Sequence, residues 1–174
     1  MADIEMDRVH SNKDVYAYGE PIKLLFDVRN IAQHDIFLMQ NRVYKSVSDH
    51  TLQILLGEVE LLDDMDYFDY QPPRFKHLPS GQAIRSRVRV GMPLTESFID
   101  STGVFQQRDV PLSGRVRISL VVGYLKERFK AETADPWSEI VRSQELIPAP
   151  YIDVRIEDRG KERSAQPVER VRAV

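Results

Sequence analysis

The sequence predicts an all-β fold, and three turn-then-strand units carry that prediction. Tyr18-Gly19-Glu20-Pro21 leads into Ile22-Lys23-Leu24-Leu25-Phe26-Asp27-Val28, and Leu78-Pro79-Ser80-Gly81-Gln82 leads into Ile84-Arg85-Ser86-Arg87-Val88-Arg89-Val90. Pro111-Leu112-Ser113-Gly114 repeats the pattern ahead of Arg115-Val116-Arg117-Ile118-Ser119-Leu120-Val121-Val122. In each unit Gly and Pro stand where the backbone must turn. The side chains then alternate at a period near two, the mark of a strand with one buried face.

Taken in order, Ile4 to His10 alternates imperfectly (Ile4, Met6, then Val9), as an edge strand with a bulge does. Ser11 to Asp14 reads as a polar turn. Ile22, Leu24, Phe26 and Val28 share the inward face of the next strand, which ends near Asn30, and Ile36-Phe37-Leu38-Met39 begins another. Arg42 to Asp49 reads as irregular loop. Thr51 to Leu56 and Val59 to Leu62 read as a hairpin about Gly57. A helix over residues 48–62 is the competing reading, disfavoured because glycine would fall mid-helix.

Asp63 to Pro73 reads as an acidic, aromatic loop. Ile84, Val88 and Val90 face inward along the strand that follows, until Met92-Pro93-Leu94 breaks it. Thr95 to Arg108 reads as a long loop with room for one helical turn. Val116, Ile118, Leu120, Val122 and Tyr124 mark the clearest strand, and Lys126 to Glu139 a polar loop around Pro136-Trp137. The last strand is expected at Glu139 to Glu145, at Tyr151 to Glu157, or at both with a kink at Pro148-Ala149-Pro150. Residues 1–158 form the expected domain, and the charged stretch 159–174, with no sustained apolar pattern, is expected to be a disordered tail.

A length of 174 residues suits one domain, and 42% hydrophobic content suffices for one core. A net charge of -3 gives no global reason to bind nucleic acid. The absence of cysteine removes disulfides, thiolate nucleophiles and Cys-based zinc sites. No apolar run approaches the roughly 20 residues of a membrane-spanning helix. No leader is visible at the N-terminus, so a cytoplasmic location is expected if the chain is complete and a secreted or periplasmic one if a leader was removed.

Short strands, about seven to nine in number and separated by turns, make a Greek-key sandwich the expected architecture. Tyr18-Gly19-Glu20-Pro21-Ile22 resembles the lead into the second strand of bacterial immunoglobulin-like domains. Leu78-Pro79-Ser80-Gly81-Gln82-Ala83-Ile84 is similar to the lead into their fifth, and Ser113-Gly114-Arg115-Val116-Arg117-Ile118 to the sixth. The likeness spans roughly residues 4–157 and rests on turn chemistry. It implies that the strand of Lys23 and Arg29 lies antiparallel to that of Arg85, Arg87 and Arg89. It departs from many such domains where a corner tyrosine is replaced by Val116, and it carries no activity with it.

His10, His34, His50 and His77 are the only histidines and lack metal-ligand spacing. No nucleophile elbow or phosphate-cradling glycine loop is present. The chain is therefore expected to be non-enzymatic and to need no metal or other cofactor. Asp63-Asp64-Met65-Asp66-Tyr67-Phe68-Asp69-Tyr70 is the densest unusual segment. Its carboxylates could gather around calcium, although the EF-hand glycine and distal glutamate are missing. Alternatively Tyr67, Phe68 and Tyr70 anchor a partner while Asp64 and Asp66 steer it, with Arg74 at the loop's end. The ordinary reading, ahead of both, is a solvated acidic loop whose aromatics pack back under the sandwich.

Arg85, Arg87 and Arg89 point outward together and form a basic stripe. Asp27 on the same face argues for internal pairing, and a solvated sheet face is the ordinary reading of such a stripe. Trp137 is read as a plug at the open end of the sandwich. The leading expectation is a module that binds a protein partner through end loops or an edge strand. Nucleic acid and membrane insertion are not expected, and oligomerisation is left open. A carbohydrate-binding or enzyme-accessory sandwich would need an aromatic platform of Tyr67, Tyr70 and Trp137. A structural subunit of a surface or virion assembly is the third reading.

Overall fold

The strands form where the sequence alternates, and they gather into several sheets with one short helix. The structure, a computed structural model, describes residues 3–58, 73–99, 105–130 and 136–158. The elements are β1 (Ile4–Ser11), β2 (Val15–Tyr16), β3 (Ile22–Asn30), β4 (Ile36–Met39), β5 (Val43–Ser48), β6 (Thr51–Leu56) and β7 (Phe75–Leu78). They continue with β8 (Ala83–Val90), β9 (Leu94–Ile99), β10 (Phe105–Val110), β11 (Gly114–Leu125), α1 (Pro136–Ser143), β12 (Glu145–Pro148) and β13 (Ile152–Ile156). The protein is all-β, as its sequence predicts. No helix among the described residues is long and apolar enough to cross a membrane.

The small sheet has the order β1-β3-β8 and is antiparallel throughout. Ile22, Leu24, Phe26 and Val28 of β3 are all buried, as are Val88 and Val90 of β8. The irregularity expected in β1 is present: its register shifts between Asp7 and His10, and Arg8 takes a left-handed φ of 51°. The large sheet runs β2-β13-β11-β4-β7, with β6 parallel to β11, β5 outside β6, and β12 also on β11. Val116, Ile118, Leu120, Val122 and Tyr124 of β11 are buried. The inward faces of both sheets meet in one core, where burial of apolar area is the main stabilising term.

Several local expectations are corrected. Val43 to Ser48, read as loop, is strand β5: Val43 and Val47 give it an inward face, and Asp49 and His50 turn the chain with φ of 48° and 58°. Positive φ at both central residues is what a tight hairpin turn requires, so the hairpin is β5-β6 about Asp49-His50. It is not centred on Gly57. Val59 to Leu62 lies outside the described residues. Thr95 to Arg108 holds the hairpin β9-β10, from Leu94↔Val110 to Ile99↔Phe105, where the sequence suggests loop.

The stretch around Pro136-Trp137 opens a helix. Proline suits a first helical position because its fixed φ is helical and its missing N–H is not needed there. That helix displaces the strand expected at Glu139 to Glu145, and Gln144 N still donates to Ile140 O at 2.8 Å. Beyond it, β13 matches the strand expected at Tyr151 to Glu157, the unexpected β12 runs into Pro148, and Ala149 N donates to Leu120 O at 2.8 Å across the break between them. Residues 159–174 lie outside the described residues.

Candidate interaction surfaces

Strand β8 is positioned by its turn and by one asparagine. Gly81 holds a φ of 75° in the turn that precedes the strand, a conformation available to glycine at no steric cost. Asn30, fully buried at the end of β3, donates from Nδ2 to Leu78 O at 2.9 Å and to His34 O at 2.8 Å, and accepts from Ala32 N at 3.0 Å. One side chain thereby satisfies three backbone groups, two in the β3–β4 connection and one at the end of β7, where the chain turns into β8. The sequence marks Asn30 only as a strand end, and its clamp is invisible there because Leu78 is distant along the chain.

Pairing of β3 with β8 is antiparallel, as the resemblance of the turn motifs implies, and it sets the charge pattern of the small sheet's outer face. Asp27 lies opposite Arg85, Leu25 opposite Arg87, and Lys23 opposite Arg89. Arg85 donates from Nε to Asp27 Oδ1 at 2.9 Å, and Arg8 stands 3.8 Å from the same carboxylate. The Arg85 guanidinium, with Arg8 adding to it, holds the Asp27 carboxyl below its ordinary range. At the other end of the strand the balance is different. Arg87 and Arg89 are exposed and form no ion pair with any described carboxylate. Lys23 has Glu20 nearby, but Glu20 is bonded to Lys13 and to Ala17 N. A like-charged pair directly across strands, as at Lys23 and Arg89, is unfavourable.

The other candidate is reached only at its end. Asp64, Asp66, Tyr67, Phe68 and Tyr70 lie outside the described residues. Arg74 is exposed, and its backbone prolongs the β4-β7 ladder: its N donates to Asn41 Oδ1 at 2.7 Å, and its O accepts from Gln40 N at 2.9 Å. Where the chain leaves for residue 59, Glu58 is buried. It accepts from Tyr44 OH, stands 3.4 Å from Arg42 Nε, and its backbone is gripped by Gln144. Arg42 lies over the Trp137 ring at 4.5 Å, a cation–π contact that occupies one face of that half-buried side chain.

Three further clusters tie elements together. Lys126 bridges Asp3 at 2.9 Å and Glu145 at 2.5 Å, and buried Tyr124 donates to Glu145 at 2.6 Å. Burial, then the Glu145 carboxylate, pushes the Tyr124 hydroxyl pKa well above the ordinary tyrosine value. His77 Nε2 lies 2.7 Å from Asp35, with its ring stacked on Phe37 at 5.2 Å, while Ser80 Oγ donates to Ala32 O. That serine is bonded away from the imidazole, so the trio is not arranged as a nucleophile and base. Arg115 and Arg117 both reach Asp153, at 2.6 and 3.4 Å, beside an open hollow of about 540 Å³. Among the described residues no three His, Asp or Glu side chains converge as metal ligands.

No protein-family model and no curated protein matches this chain. Among solved structures it is similar to a β-glucosidase from Listeria innocua in complex with glucose, at a TM-score of 0.36 and 10% identity. That match covers 88% of this chain and 16% of the other. A β-glucosidase from Erythrobacter marinus matches at a TM-score of 0.36 and 10% identity, over 88% of this chain and 15% of that one. Resemblance at this level carries no argument about activity.

Proposed function

We propose that this chain is a non-enzymatic interaction module, an immunoglobulin-like Greek-key sandwich that recognises a protein partner along the edge of β8. The strand orders support the architecture. With β1, β3 and β8 as first, second and fifth strands and β4, β11 and β13 as third, sixth and seventh, the two sets fall on separate sheets as in such domains, with no fourth strand beside β8 among the described elements. The inserted β5-β6 and β9-β10 hairpins are this chain's departures from that plan.

The observation that carries the functional reading is the state of β8. Among the described elements it ends its sheet, pairs with β3 alone, and presents Arg87 and Arg89 without a described carboxylate. Edge strands offer main-chain donors and acceptors to an incoming strand, and arginine adds forked donors for an acidic partner. A photoreactive residue at position 82, just before β8, tests the reading when the chain is exposed to extract of its source organism. One protein should cross-link there, should fail to cross-link from position 45 on the opposite sheet, and should be lost from the double variant Arg87→Glu, Arg89→Glu. Equal capture at both positions, or capture indifferent to the arginines, refutes it.

A further inference from the structure

Resting on that reading, we propose that the partner docks on β8 as an extended acidic–apolar–acidic strand whose two carboxylates pair with Arg87 and Arg89. The backbone supplies the first argument. Asn30 N donates to Gln82 O at 2.9 Å, and antiparallel hydrogen bonds join residues directly opposite each other. The unbroken register from Arg29↔Ala83 to Ile22↔Val90 then turns the main-chain groups of Ile84, Ser86, Val88 and Val90 toward β3. Those of Arg85, Arg87 and Arg89 point the other way, to the edge that no described strand occupies. The residues that expose the charges are the ones whose N–H and C=O await a strand.

Charge supplies the second argument. On β8 itself, Arg85 is occupied by Asp27, so the arginines of that strand without a described carboxylate are Arg87 and Arg89, at the end where Lys23 of β3 lies opposite. Side chains two residues apart on a strand repeat at about 6.6 Å, so carboxylates at alternate positions of an added strand reach both guanidinium forks. The residue between them lies opposite Val88 and faces the core side, against the flank of buried Val88 and Val90, and is therefore apolar. A nucleic acid strand is the poorer fit, because the outward residues of β3 and β8 include no aromatic ring on which a base could stack.

The test uses the full chain and three blocked octapeptides of equal charge or composition: one alternating Glu with Val or Thr, one with the same residues but the glutamates in a block, and one with Gln for Glu. Amide hydrogen exchange is read by NMR. The alternating peptide should slow exchange at the Arg87 and Arg89 amides by roughly tenfold or more at saturation, with the Ser86 and Val88 amides unchanged. The block and Gln peptides should bind roughly tenfold more weakly, as should the alternating peptide to Arg89→Ser. Equal binding of both glutamate peptides without slowed exchange overturns the proposal in favour of a diffuse anion-binding face. Tighter binding of an oligothymidylate, or concentration-dependent dimerisation that the peptide cannot disperse, overturns it in favour of nucleic acid or of a second copy. Failure of the peptides while cross-linking at position 82 persists removes this inference and leaves the module reading standing; failure of both removes both.

Discussion

On the outer face of the large sheet, Gly57 and Gly123 leave a gap that Gln144 fills, bonding to both N and O of Glu58 at 2.9 and 2.5 Å. On the outer face of the small sheet nothing described covers β3 and β8, and charge balance changes from Asp27-matched Arg85 to unmatched Arg89 within two strand repeats. The first face is closed by groups that satisfy one another. The second is left with donors and charges to spare. A folded domain has no stability reason to place Arg89 opposite Lys23, so the difference separates surface that serves the fold from surface available to a partner.

The largest way to break the comparison is to fill the gap on the closed face. A side chain at Gly123 would meet Gln144 Oε1 at 2.9 Å and the backbone at Gly57 Cα and Leu56 O at 3.2 and 3.3 Å. Backbone cannot yield as a side-chain tip can, so Gly123→Val should cost about 3 kcal/mol in denaturant unfolding. Gln144→Ala leaves the gap open but removes the clamp on Glu58, and should cost about 2 kcal/mol. Should either variant prove as stable as the parent, the helix is not a closing element.

Acid sharpens the contrast next. Asp3 and Glu145 are held below their ordinary values of 3.8 and 4.5 chiefly by Lys126, and Asp35 by His77. A carboxyl lowered on folding stabilises above its unfolded value and ceases to as pH falls through the folded one. The melting temperature should therefore drop as pH is taken from 6 to 3. Tyr124 is displaced upward, so its contribution is complete below its unfolded value of 10.0 and is lost as pH rises further. Tyr124→Phe should remove that alkaline loss.

The smallest effects compare the two ends of β8. Arg85→Glu should lower the melting temperature by setting a carboxylate against Asp27. Arg89→Glu should leave it unchanged or raise it by facing Lys23, and added salt should shrink both shifts. The same sign for both variants would erase the distinction between the two ends.

Much of the small sheet was legible because its information is local. Ile22 to Val28 and Ile84 to Val90 alternate with one exception each, outward Leu25 and inward Ser86, and the bulge in β1 shows as a skipped beat between Met6 and Val9. The large sheet hid more. Strand β5 carries Lys45 on its inward side, its turn at Asp49-His50 lacks glycine, and α1 buries only Ile140 completely among its described side chains, leaving little apolar stripe to read. The parallel pairing of β6 with β11 joins residues far apart in the chain, which no short window encodes. The arginine stripe was readable as alternation and its pairing with Asp27 as shared facing. Which arginines stay unmatched depends on register, and the acidic candidate from Asp64 to Tyr70 lies outside the described residues.

The most direct measurement is native-state hydrogen exchange of the free chain along β8. An open edge predicts alternation: the amides of Ser86, Val88 and Val90, bonded to β3, exchange slowly, while those of Arg87 and Arg89 exchange near the rate of unprotected peptide. If Arg87 and Arg89 prove as protected as their neighbours, another part of the chain already occupies the edge, and β8 is not where this protein meets its partner.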